Sequence, residues 1–189
     1  MQAFYALIDR LERCNDEEKQ AHEAMLWATF GLDACVLALD MSGFSRTVHA
    51  KGIISYLARI RRMQQISAPL VQAHGGEVVK YTADNLMAVF TDSTQALQAA
   101  AAIRAACISL PEPLEVSIGL DLGRFLHVPH TDCFGDPVNV AFKLAEDIAG
   151  NGEILASAEV FEAAGVAAPA DGWSESHISG LDIAYAALP

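Results

Sequence analysis

The chain has 189 residues, 52% of them hydrophobic, and carries 24 Asp and Glu against 12 Lys and Arg, a net charge of −12. That hydrophobic share supports a packed core and excludes a disordered chain, and the length suits one domain with appended elements. The negative charge disfavours extended nucleic-acid binding, but a single nucleotide held with divalent metal stays compatible with it.

Residues 3–30 read as helix, with Leu7, Leu11, Ala21, Met25 and Phe30 near helical spacing; Asn15 and Asp16 can cap a second segment, and Gly31 stops the run. Ala34–Leu39 is a short apolar run suited to a buried strand, ending in Asp40 and followed by a Ser42-Gly43 turn. Ile53, Leu57, Ile60, Met63, Ile66 and Leu70 predict an amphipathic helix over 52–73, bent at Pro69 and ended by Gly75-Gly76. Glu77–Tyr81 and Leu86–Phe90 flank Thr82–Asn85 as a hairpin. Ser93 and Thr94 are expected to cap a helix to Ser109, and Leu114–Leu120 alternates like a strand. Gly123–Gly135 reads as loop, Asp136-Pro137 opens a helix to Ala149, Ile154–Ala156 is a strand and Ala158–Ala164 a helix. Two weak strands are expected after Trp173. This order predicts an α+β chain with a ferredoxin-like βαββαβ core: an N-terminal helical segment over 1–31 and a single domain over 32–189.

The cysteines, Cys14, Cys35, Cys107 and Cys133, form no CxxC pair and no zinc spacing with His, which reads as free thiols in a reducing cytosol. No secretory signal is visible, and the longest apolar stretch, residues 96–106, is interrupted by Gln98 and Arg104. A cytoplasmic location with no membrane partner is the expectation.

Asp40 at a strand end and Asp84 at a hairpin tip can converge at one sheet edge. Two carboxylates so placed repel unless neutralised, and Mg²⁺ favours carboxylates together with substrate phosphates. Each residue alone also reads as an ordinary cap or turn residue.

Three segments carry a resemblance. Asp40-Met-Ser-Gly-Phe44 is similar to the first signature of class III adenylate and guanylate cyclases; residues 75–90 resemble the second, and Asp136–Ala141 the third. The match runs from about Cys35 to about Phe161 in the family's order. The resemblance implies an adenylate cyclase that converts ATP to 3′,5′-cyclic AMP and diphosphate in a homodimer, using two Mg²⁺ or Mn²⁺ ions per site. It places the metals on Asp40, Asp84 and the Met41 carbonyl, and the triphosphate on the amides of Ser42, Gly43 and Phe44, although Phe44 also reads as a core anchor. Lys80 and Asp132 match the base-reading pair: Lys donates to adenine N1 and Asp accepts from the N6 amino group, a pattern guanine reverses. Asn139 matches the ribose-orienting residue, and Arg124 a phosphate contact.

Three departures stand out. Lys143 occupies the place of a transition-state Arg, keeping the charge without the planar fork. The late triphosphate Lys has no counterpart, His177 being the one possible cation in Ser174–Leu181. The stretch from Gly123 to Asp132 is short, so the interface hairpin is expected to be truncated. These leave open a weak or inactive cyclase-like module that binds nucleotide or only dimerises. A plain ferredoxin-like interaction domain is the structural alternative, while Gly75-Gly-Glu-Val-Val79 breaks the diguanylate cyclase motif. The N-terminal segment can couple to an upstream sensor or regulatory protein, or simply pack on the domain.

Overall fold

The computed structural model describes residues 1–167 and 172–188. Helices α1 (Gln2–Leu11) and α2 (Asp16–Phe30) open the chain. Asn15 separates them: its side chain accepts from the Glu17 and Glu18 amides while Glu18 reaches back to the Asn15 amide, a reciprocal cap. Gly31 ends α2 and directly opens β1 (Gly31–Met41). Then follow α3 (Phe44–Lys51), α4 (Ile53–Ala73), β2 (Glu77–Thr82), β3 (Asn85–Phe90), α5 (Ser93–Ile108), β4 (Val116–Val128) and β5 (Asp132–Phe134). Helix α6 (Asp136–Lys143) continues into a π turn over Leu144–Ile148, and β6 (Ile154–Ser157), α7 (Ala158–Ala164), β7 (Ser174–Ile178) and β8 (Leu181–Ala187) complete the order.

One sheet runs β2-β3-β1-β4-β6-β8-β7, with β5 folded back on β4. The pairs β2–β3, β3–β1 and β1–β4 are antiparallel, and β4–β6 is parallel. The expected βαββαβ core is therefore present as β1-α4-β2-β3-α5-β4, and β6, β8 and β7 extend its edge.

β1 is apolar without alternation because both of its faces are covered. Cys35, Leu37, Leu39 and Met41 pack with Met63 and Val71 of α4, Ile103 of α5 and Phe161 of α7. Ala34, Val36 and Ala38 face Phe125, Cys133, Val138 and Ala141 on the opposite side. The small residues of β1 thus lie under α6 and the β4–β5 arm. Gly119 lets α6 approach closely: a Cβ there would lie 2.1 Å from the Ala141 carbonyl oxygen, so any side chain would push α6 off the sheet. At Leu37, fully buried, truncation to Ala should cost about 2–5 kcal/mol.

The structure corrects four expectations. β4 does not end near Leu120 but continues to Val128, because Phe125 and Val128 are buried, and β5 pairs with it; the stretch read as loop is an arm folded over the sheet. The cap of α5 is Asp92, whose side chain accepts from the Thr94 and Gln95 amides. The helix after Asp136 leaves α geometry at Leu144. Helix α3, unforeseen, follows directly on the turn after β1. Pro69 lies inside α4. Helices α1 and α2 pack through Phe4 and Leu26 on Val128 of the arm, and no helix of the described residues is long and apolar enough to cross a membrane.

Candidate active site

Asp40 lies next to the end of β1, opposite Ser117 of β4. Asp84 occupies the two-residue turn closed by the Thr82–Asn85 pair, with Ala83 in the left-handed region at φ 51°. Since Leu39 stands opposite Leu86, the hairpin turn and the end of β1 share one end of the sheet. Asp40, Met41, Ser42, Gly43, Phe44 and Asp84 line one cleft of about 580 Å³, joined by Ser45, Arg46 and Asn151. The juxtaposition expected from sequence is thus present.

Burial pushes the Asp40 carboxyl up to about 6, and the like charges of Asp84 and Glu146 add to this. The hydroxyl of Tyr56, on α4, donates to Asp84 Oδ2 at 2.7 Å and lies 3.3 Å from the Met41 carbonyl oxygen. Gly43 takes φ 87°, and a Cβ there would meet the Arg46 guanidinium at 3.1 Å. Arg46, which lines the cleft, pairs with Glu115 at 2.7 Å. The Ser42 amide donates to the Glu115 carbonyl oxygen at 3.0 Å, so of the three expected cradle amides this one already has an acceptor. Phe44 is half exposed and meets the Tyr56 ring edge-on at 4.9 Å; it is a lid on Tyr56 rather than a core anchor.

A second group lies elsewhere in the chain. Lys80, on β2, and Asp132, on β5, form an ion pair of 2.6 Å, both partly buried. The β4–β5 arm brings them together, and His127 and His130 of the same arm reach Glu77 at 3.3 Å each. Asn139 and Lys143 line a pocket of about 440 Å³ with Glu146, Asp147, His177 and Ile178. Lys143 is bound to Asp147, one turn on, at 2.5 Å, and His177 to Asp182 at 2.8 Å. Arg124 sits far along β4, opposite Asp33, with its guanidinium 5.0 Å from the centre of the Trp27 ring. Seven residues separate it from Ser117, about 23 Å of strand at 3.3 Å per residue. Within one chain Arg124 is therefore remote from Asp40.

A protein of Rhizobium meliloti (strain 1021) named "Putative adenylate cyclase 3" is 32% identical over 135 residues, which are 68% of this chain. Those residues are 23% of that protein, so the chain spans less than a quarter of its length. The crystal structure of an adenylate/guanylate cyclase/hydrolase from Silicibacter pomeroyi superposes with a TM-score of 0.70 at 27% identity, covering 82% of this chain and 95% of that one. The chain belongs to the class III nucleotide cyclases. The guanylate cyclase domain of Catenaria anguillulae, solved with GTP, shares the cyclase fold at a TM-score of 0.70 and 15% identity, covering 82% of this chain and 95% of that one. No protein-family profile matches the chain.

The cyclase cleft suits a hard cation. Asp40, Asp84 and the Met41 carbonyl supply oxygen donors, and the raised Asp40 marks a crowd of negative charge that a divalent ion relieves. Among the described residues no set of three or more His, Cys, Asp or Glu forms a metal cage, so phosphate and water oxygens would have to complete the shell.

Three residues of this cyclase domain escaped the sequence. Tyr56 looked like one more position on an amphipathic helix. Glu146, which accepts from the Asn85 side chain and adds charge near Asp40, sits on the π turn. Glu115, which holds Arg46, carries no motif. Only the absence of any Asp or Glu between Met41 and Gly76 hinted that the acids answering Arg46 come from elsewhere.

Proposed function

We propose that the chain is an adenylate cyclase converting ATP to 3′,5′-cyclic AMP and diphosphate, with each site shared between two copies of the chain. The observation that carries this reading is the convergence of Asp40 and Asp84 in one cleft, beside a turn that opens on Arg46. The Lys80–Asp132 pair contributes no residue to that cleft, which supports a site completed by a second copy.

Asp40, Asp84 and the Met41 carbonyl would hold two Mg²⁺ or Mn²⁺ ions. When bound, these acidify the ribose 3′-hydroxyl and neutralise phosphate charge. The Gly43 and Phe44 amides receive the polyphosphate, and Arg124 and Lys143 are the remaining candidate cations. The partner's Asn139 would orient the ribose so that the 3′-oxygen attacks the α-phosphorus in line with departing diphosphate. Lys80 donates to adenine N1 and Asp132 accepts from the N6 amino group; their ion pair keeps both heads in place before the base arrives.

The second reading, a weak cyclase-like nucleotide-binding or dimerisation module, is favoured by Lys143, whose ammonium is committed to Asp147. A turnover assay separates the two. Purified protein with ATP and Mn²⁺ or Mg²⁺ should form cyclic AMP, with less product from GTP, and Asp40→Ala and Asp84→Ala should each abolish it. A folded protein that yields no product with either metal would establish the second reading.

A further inference from the structure

From Met41 through Gly76 the chain has no Asp or Glu, yet this stretch holds five of its 12 Lys and Arg. In a chain of charge −12, α3 and α4 therefore concentrate positive charge. Lys51, Arg59 and Arg62 converge on a groove of about 530 Å³ between α4 and the α5–β4 connection, where Leu110, Pro111 and Leu114 form an apolar wall. That volume falls in the range of small-molecule sites.

Arg59 anchors the groove. Its Nη2 donates to the Pro113 carbonyl oxygen at 2.8 Å, while its Nε is buried and lacks an acceptor. Lys51 is met at 3.0 Å by Glu112, which also lies 4.0 Å from Arg59. The Glu112 side chain is 72% exposed and reaches in from the rim. Arg62 has no ion pair among the described residues. Lys51 and Arg59 continue into a smaller cavity of about 240 Å³ that includes Arg46, and Arg46 borders the carboxylate cleft.

We infer that this groove binds a small phosphate-bearing molecule with an apolar body. The phosphate takes the place where the Glu112 carboxylate now meets Lys51 and Arg59, and Arg62 adds a third cation. Guanidinium forks and an ammonium suit a phosphate monoester, and the apolar body lies on Leu110, Pro111 and Leu114. The overall charge of −12 argues against a macromolecular polyanion, which the rest of the surface would repel. The inference does not depend on the reaction proposed above.

Calorimetric titration of the full chain with phenyl phosphate and with inorganic phosphate tests it, at low salt and with a chelator so that metal does not recruit phosphate to the cleft. Phenyl phosphate should bind saturably at one per chain and tighter than inorganic phosphate. Lys51→Gln and Arg62→Gln, both at exposed side chains, should each weaken binding about tenfold, the loss of one charged hydrogen bond. Glu112→Gln should tighten it, and Arg61→Gln, outside the groove, should leave it unchanged. Absence of saturable binding overturns the site, and equal losses in Arg61→Gln and Arg62→Gln reduce it to diffuse potential. Arg62-dependent binding of an acidic peptide or of anionic vesicles, without binding of phenyl phosphate, would replace the small ligand with a macromolecule.

Discussion

The buried hydroxyl of Tyr56 donates to Asp84 Oδ2 at 2.7 Å, tying the β2–β3 turn to helix α4. Burial and the neighbouring carboxylates hold this phenol well above its usual range, so it stays a donor at any working pH. Tyr56→Phe leaves Asp84 without that donor while keeping the ring that packs against Phe44. The expected cost is about 1.5–3 kcal/mol of stability, typical of a hydrogen bond to a charged group, read from denaturant midpoints. Because Asp84 would be less fixed, the metal concentration for half-maximal activity should also rise. An unchanged metal dependence would separate Tyr56 from the cleft.

Asp121 supplies a pH signature away from the cleft. It is 6% exposed on β4, and burial lifts its carboxyl from 3.8 to about 6, with Glu159 and Asp136 adding to the rise. The folded state therefore binds more protons than the unfolded state between these values, and stability falls as pH rises through that window. Asp121→Asn should gain up to about 3 kcal/mol at pH 8, the equivalent of about two pK units, and nothing near pH 3. Urea unfolding at the two pH values checks it, and a gain independent of pH would refute the assignment.

Base choice rests on Lys80 and Asp132. Lys80→Met should lower kcat/KM for ATP by about tenfold to a hundredfold, the range of a lost charged hydrogen bond, while raising GTP turnover little. Equal losses on ATP and GTP would mean that Lys80 supports the arm and does not read the base.

Lys143 is the departure that bears most on rate. Its partner Asp147 is half exposed, so Asp147→Asn frees the ammonium at small cost to folding. If Lys143 faces the phosphates of a shared site, Asp147→Asn should raise kcat, and Lys143→Arg more so, with KM for ATP little changed. No change in either variant would place Lys143 on a solvated helix face.

Much of the cleft was legible because its parts are local. A strand end, a glycine turn and a hairpin tip each announce themselves within a few residues, so Asp40, Gly43 and Asp84 could be named from spacing and motif. The arm was not legible as a strand: Gly123, Pro129 and Gly135 read as loop, and burial of Val128 under α1 and α2 and of Phe125 against Ala34, Val36 and Val138 depends on distant packing. Tyr56, Glu115 and Glu146 were missed for the same reason. Their partners lie 28, 69 and 61 residues away, where periodicity carries no information. Arg124 was legible by position only, and its contact with Trp27 comes from a helix that no motif connects to it.

The central claim is that one copy supplies the carboxylates and the other the ribose-orienting Asn139. Mixing Asp40→Ala protein with Asn139→Ala protein, each inactive alone, tests it most directly. The mixture should form cyclic AMP from ATP and Mn²⁺, because a heterodimer rebuilds one intact site. A mixture as inactive as its components, beside an active unmutated chain and with exchange of copies demonstrated, would contradict the shared site.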